Sequence, residues 1–219
     1  ALVMLQPDFG TTALLFVITF AMLFAAGLEK RVILVLSTLG IAGAAAAIIA
    51  APYRLKRLTT FLDPWTKIRE GGYQIIQSYV GFQNGGLFGT GLGQSKQALY
   101  FLPEAHNDFI LAVIGEELGL LGVLLVCFLF VYFVYLGYRI TFAQTDAFRR
   151  YLAFGITTLV GAQSALNIGV AMGVLPTKGM PLPFLSNGSS CLIVFLTAAA
   201  ILTRLATLRE RTRDPVTTA

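Results

Sequence analysis

Residues 101–119 read Phe101-Leu-Pro-Glu-Ala-His-Asn-Asp-Phe-Ile-Leu-Ala-Val-Ile-Gly-Glu-Glu-Leu-Gly119, and the apolar run that opens at Phe109 continues to Leu136. About 20 apolar residues are what a helix needs to cross a bilayer. The polar approach to this run holds Glu104, Asp108 and His106, the only histidine of the chain. Glu116 and Glu117 follow inside it. Ionisable groups at or within a span are expensive to place and are functional candidates by default. The segment therefore predicts a membrane protein with chemistry at the membrane surface.

The whole chain agrees. It has 219 residues, 56% hydrophobic and 12% charged, with mean hydropathy +0.76. A soluble domain carries about 25% charged residues. Apolar runs at 12–28, 32–51, 109–136, 152–175 and 183–203 predict five spanning helices in an all-α, polytopic membrane bundle, because spanning backbone must satisfy itself and no barrel-like alternation is present. The expected organisation is a single membrane domain over 1–219, with 52–108 as one large extracytoplasmic loop. The opening Ala1-Leu-Val-Met-Leu-Gln-Pro7 reads as the end of a preceding span, so an earlier part of the protein is expected. Gly40, Gly43 and Ala44–Ala47 suit a close helix contact, or are apolar filler.

The net charge of +5 is distributed as a membrane protein distributes it, which sets aside nucleic-acid binding. Nine basic residues (Lys30, Arg31, Arg139, Arg149, Arg150, Arg204, Arg209, Arg211, Arg213) fall on one side of the five spans, against Lys178 alone in the other short connection. That places the tail in the cytoplasm and the long loop outside. Cys127 and Cys191 sit in apolar runs, with neither disulfide nor metal spacing.

The long loop is rich in aromatics and glycine, and Tyr73–Phe82 has the pattern of a short amphipathic or re-entrant helix. Loops of this length are functional or disordered, and this composition argues against disorder. Asp108 is either a helix N-cap or a general base at the external mouth of its helix. His106 is a proton partner or an interfacial polar residue. Glu116 and Glu117 point in different directions on a helix, so at least one faces the bundle interior. For Glu117 the expectation is a buried carboxyl bonded to a neighbouring helix. Arg54, Arg57, Lys67, Arg69 and Lys96 are suited to a lipid-linked phosphate or to anionic headgroups. The glycine-rich stretch after Asn84 lacks the lysine-serine ending of a nucleotide loop. Residues 176–190 and 6–11 form two further polar, proline-containing entries to spans.

Seven pieces in order, QPDFGT at 6–11, YRLKRLTTFLDP at 53–64, GGYQIIQS at 71–78, GGLFGTGLGQS at 85–95, LPEAHNDF at 102–109, GEELG at 115–119 and LPTKGMPLPFLSNGSS at 175–190, resemble the SEDS family (FtsW/RodA/SpoVE), membrane glycosyltransferases of cell shape, division and sporulation. The chain resembles the C-terminal half of a ten-helix protein. PEAH, GEELG and PTKG are closer to the division branch, FtsW, than to RodA, and an elongation or sporulation role stays open. The resemblance implies a peptidoglycan glycosyltransferase that polymerises lipid II at the outer face of the bacterial cytoplasmic membrane, at the division septum, beside a class B penicillin-binding protein. Asp108 matches the family's catalytic aspartate. Arg54, Arg57, Gln74, Ser78, Lys96, Glu104, His106, Glu116, Lys178, Ser186 and Ser190 are the implied substrate contacts. Arg or Lys, or a divalent cation (Mg²⁺ or Mn²⁺), would stabilise the leaving pyrophosphate; no other cofactor is implied. The pattern is departed from at Asn107, Ala98, Asn187 and Ser189. The alternatives are a flippase for the same precursor and a non-catalytic divisome scaffold.

Overall fold

The computed structural model describes residues 9–49, 52–68, 71–103, 106–177 and 179–213. Gln6, Pro7, Asp8, Arg69, Glu104 and Lys178 lie outside the described residues. Among those described, every regular element is helical. In chain order they are α1 (Phe9–Ala25), α2 (Lys30–Ile49), α3 (Pro52–Leu62), α4 (Gly72–Gly85), a short π-helical segment (Gln97–Phe101), α5 (Ile110–Ala143), α6 (Ala147–Ala171) and α7 (Ser189–Arg213). Helices α1, α2, α5, α6 and α7 overlap the five apolar runs expected to be spans. Among the described residues α5, α6 and the Ser189–Leu208 part of α7 are long and apolar enough to cross a membrane, and Gly10–Ala25 is a shorter apolar helix.

Helix α6 is the centre of the bundle and packs against α5, α1 and α7. It starts where Asp146 caps it, the carboxylate accepting from the Arg149 amide at 2.9 Å. Helix α1 meets α2 where the Phe16 ring lies against Gly40, leaving no room for a side chain there, whereas Gly43 faces open space. The close contact expected of the small residues is thus made at Gly40.

The main departure from expectation is α5. Its 34 residues are not one straight span, because Gly119 has φ 68 and ψ −163 in mid-element. The chain folds back there. A Cβ placed on Gly115 would lie 3.4 Å from Val123 Cγ2, yet residues eight apart in a straight helix are separated by about 12 Å. The short arm, Ile110–Leu118, returns alongside the long arm, so that Ile110 packs on the cluster of Phe130, Val160, Leu182 and Phe195. The long arm, Leu120–Ala143, covers about 36 Å and suffices to cross the bilayer core alone. The run 109–136, expected as one continuous span, is therefore a short helical arm folded back on a long apolar one. Apolar periodicity cannot tell these apart, since both arms are apolar.

Helix α4 packs on the short arm, and its buried Ser78 hydroxyl donates to the Ala171 carbonyl at the end of α6 (2.6 Å). The expected short helix in the loop is present, over Gly72–Gly85. The connection expected at 176–182 extends over 172–188. Within it Phe184 adopts φ 66, unusual for a residue with a side chain. Its ring is held between Phe133 and Phe195, at centroid distances of 5.6 and 5.7 Å.

Only glycine adopts the Gly119 backbone without cost. Gly119→Ala is expected to destabilise the protein by about 1–3 kcal/mol, seen as a lower thermal midpoint of the detergent-purified protein. An unchanged midpoint would contradict the fold-back.

Candidate functional site

Asp108 stands just before the short arm of α5. The capping position belongs to Phe109, which makes no side-chain cap bond. The Asp108 carbonyl accepts from Asn167 Nδ2 at 3.0 Å, and Asn167 lies four residues, about 6 Å, from the C-terminal end of α6 at Ala171. The half-buried carboxylate faces the 179–180 backbone, where a Cβ added to Gly179 would sit 3.3 Å from Asp108 Oδ2.

Three successive carbonyls hold this segment in place. The His106 carbonyl accepts from the Asn187 amide at 3.0 Å. The Asn107 carbonyl accepts from Ser186 Oγ at 2.5 Å, and the Asp108 carbonyl from Asn167. Ser186 Oγ also accepts from the Leu182 amide at 2.7 Å. Ser186 is thus a clamp between the 182–188 turn and the Asp108 segment. The departures Asn107 and Asn187 act here through backbone groups.

Gln163 and Asn167 on α6 are buried and four residues apart, hence on one face. Gln163 Nε2 donates to the Pro181 carbonyl (2.9 Å) and Asn167 Nδ2 to the Met180 carbonyl (2.6 Å). Sequence reading passed over both. The signal was two amides at helical spacing inside a spanning run, where polar side chains are costly unless bonded to a neighbour.

A second polar cluster surrounds Glu116, 1% exposed. Its carboxylate accepts from Asn84 Nδ2 (3.2 Å), Ser95 Oγ (2.5 Å) and the Gln97 amide (3.0 Å). Ser95 Oγ accepts in turn from the Ala98 amide at 3.0 Å, and Ala98 packs on the cluster of Leu102, Phe109, Ala112, Val113 and Val170. The buried, neighbour-bonded acid is thus Glu116, whereas Glu117, expected in that role, is half-buried.

Of the sequence candidates, Asp108, His106 and Ser186 come together with Gln163 and Asn167. Ser78 and Glu116 are committed to the fold itself. His106 is exposed, as are Lys96 before the π-helical segment, Arg57 on α3 and Ser190 in the first turn of α7; Gln74 is half-buried on α4. Arg54 falls on α3. Among the described residues no group of three or more His, Cys, Asp or Glu side chains is placed to hold a metal ion.

The family model for FtsW/RodA/SpoVE cell cycle proteins matches residues 1–211. The chain belongs to this family. It is 42% identical over 207 residues to the "Probable peptidoglycan glycosyltransferase FtsW" of Geobacter sp. (strain M18), covering 94% of this chain and 56% of that protein. It is 45% identical over 212 residues to the like-named protein of Geobacter metallireducens, covering 97% and 56%. For that of Alkalilimnicola ehrlichii the identity is 47% over 208 residues, covering 93% and 52%. A solved structure described as "Structural coordination of polymerization and crosslinking by a peptidoglycan synthase complex" superposes with TM-score 0.75 at 26% identity, over 95% of this chain and 58% of that one. The chain thus spans about half the length of the curated relatives it matches.

Removing the Glu116 acceptor leaves buried donors unpaired, at roughly 1–3 kcal/mol each. Glu116→Leu is expected to raise amide exchange across residues 86–98 well above wild type, with a lower thermal midpoint. Exchange confined to wild-type rates would show that the carboxylate does not hold this loop.

Proposed function

We propose that the protein containing this chain is a peptidoglycan glycosyltransferase that polymerises lipid II at the outer face of the cytoplasmic membrane, with Asp108 as general base. The observation that carries this reading is half-buried Asp108 at the start of a folded-back helix arm, its carboxylate near Gly179 and its carbonyl bonded to Asn167 of α6. The names of the relatives support the reaction class.

The chemistry follows from the group available. Asp108 takes the proton of the acceptor sugar hydroxyl as its oxygen attacks the donor's anomeric carbon. The bond to undecaprenyl pyrophosphate breaks and the configuration inverts. General base catalysis of this kind contributes about 10²–10⁴-fold. The leaving pyrophosphate needs positive charge, for which Lys96 and Arg57, both exposed, are proposed, with Arg54 and Lys178 proposed from the sequence. Glu104, His106, Gln74 and Ser190 are proposed as further polar contacts to the disaccharide.

The chain forms one membrane domain, 1–219, within the C-terminal half of the protein, and its 52–108 segment faces the cell exterior. The partner is a class B penicillin-binding protein, supported by the likeness to a chain of a peptidoglycan synthase complex. The site of action is the division septum, a reading supported by FtsW-named relatives.

The test uses the full-length parent with its transpeptidase partner, lipid II, and crosslinking blocked. Asp108→Asn is expected to reduce glycan strand formation by at least about 10²-fold while the complex still assembles. Strands from a well-folded variant at the wild-type rate would refute Asp108 as base. No strands from the wild type either, with divalent cation supplied, would favour the flippase or scaffold.

A further inference from the structure

The polar residues of α6 divide into two kinds. Thr157 and Ser164 bond carbonyls of their own helix, at 2.8 Å to Ala153 and 2.6 Å to Val160. They satisfy themselves and link nothing. Asn167 is different. It is 2% exposed, and its single Nδ2 donates outward to two segments at once, the Asp108 carbonyl and the Met180 carbonyl. Turning the amide over would set Oδ1 against two carbonyl oxygens, so its orientation is dictated by chemistry. Oδ1 is buried without a partner among the described residues. A buried amide that leaves its own acceptor unmet is a poor choice for packing alone. What it provides is a fixed distance between two backbones.

That distance matters because the Asp108 carboxylate faces Gly179, the residue before Met180. Gln163 holds the next carbonyl, Pro181, from one turn further along the same face, but it donates only to the 180–181 segment. Ser186 holds the Asn107 carbonyl from the opposite side. Asn167 alone of the three bonds both the residue carrying the carboxylate and the segment it faces.

We propose that Asn167 is the positioning residue of the Asp108 site, setting where the carboxylate stands relative to the Gly179–Met180 backbone and hence how it meets an acceptor hydroxyl. This rests on Asp108 being the base. Asn167 acts through Asp108 and does not itself take a proton. Small errors of placement are costly, since a shift of about 1 Å at a catalytic group is enough for a ~10²-fold loss.

The test uses the full-length parent with its transpeptidase partner and lipid II. Asn167→Leu keeps the branched outline of the side chain without its amide but is larger, whereas Asn167→Ser is small enough to be accommodated. Both are expected to lower kcat by at least about tenfold with KM changed less than about threefold, and to raise amide exchange over residues 179–182. A folded variant of either kind with kcat at the wild-type value, or a loss carried by KM alone, would overturn the proposal. So would increased exchange at 179–182 with kcat retained, which marks a structural tie only. If the leucine variant does not fold, the serine variant decides. Asp108→Asn is measured in parallel. Activity in Asp108→Asn would remove the base reading itself, whereas inactivity there with active Asn167 variants would remove the positioning role alone.

Discussion

The reversal of α5 at Gly119 breaks the helical hydrogen-bond ladder, and the groups it frees must be paired again. In a spanning bundle water cannot be relied on to do this. The loop after α4 supplies the partners. The Thr90 amide donates to the Glu116 carbonyl at 2.9 Å and the Gly91 amide to the Glu117 carbonyl at 3.0 Å. In the other direction, the Leu120 amide donates to the Gly86 carbonyl at 2.9 Å and the Leu121 amide to the Leu87 carbonyl at 3.3 Å. The Glu116 carboxylate locks the same loop from its side chain. The glycine-rich stretch thus serves as the hydrogen-bonding complement of a broken helix.

The consequences run down the short arm. Because Ile110–Leu118 folds back along Leu120–Cys127, its start is drawn into the bundle wall, against Phe130, Val160 and Leu182. Asp108 follows, and is brought within reach of α6. A straight helix would have carried the same aspartate about 15 Å beyond the break.

On the far side of the site the 172–188 connection is drawn inward as well. It is tied by Gln163, Asn167 and the Ser186 clamp, and seated by Leu182 and the Phe184 ring. Most of the site's geometry is therefore carried by main-chain groups of two loops held by a few side chains of α6. Substitutions such as Asn107 and Asn187 leave those contacts in place because backbone atoms make them.

The sequence by itself determined that this is an α-helical membrane protein, where its apolar helices lie, and which acid opens the critical one, because hydropathy and charge are local properties read along the chain. The seven ordered motifs also determined the family. Whether 109–136 crosses the membrane once or turns back on itself was decided only by tertiary structure, since the same apolar residues satisfy either path and a single φ at Gly119 separates them. Which of Glu116 and Glu117 is buried depended on where α4 and its loop pack. The pairing of Asn167 with Asp108, 59 residues apart in sequence, depended on the fold-back. Such contacts join segments distant along the chain, and one sequence carries no term for that proximity.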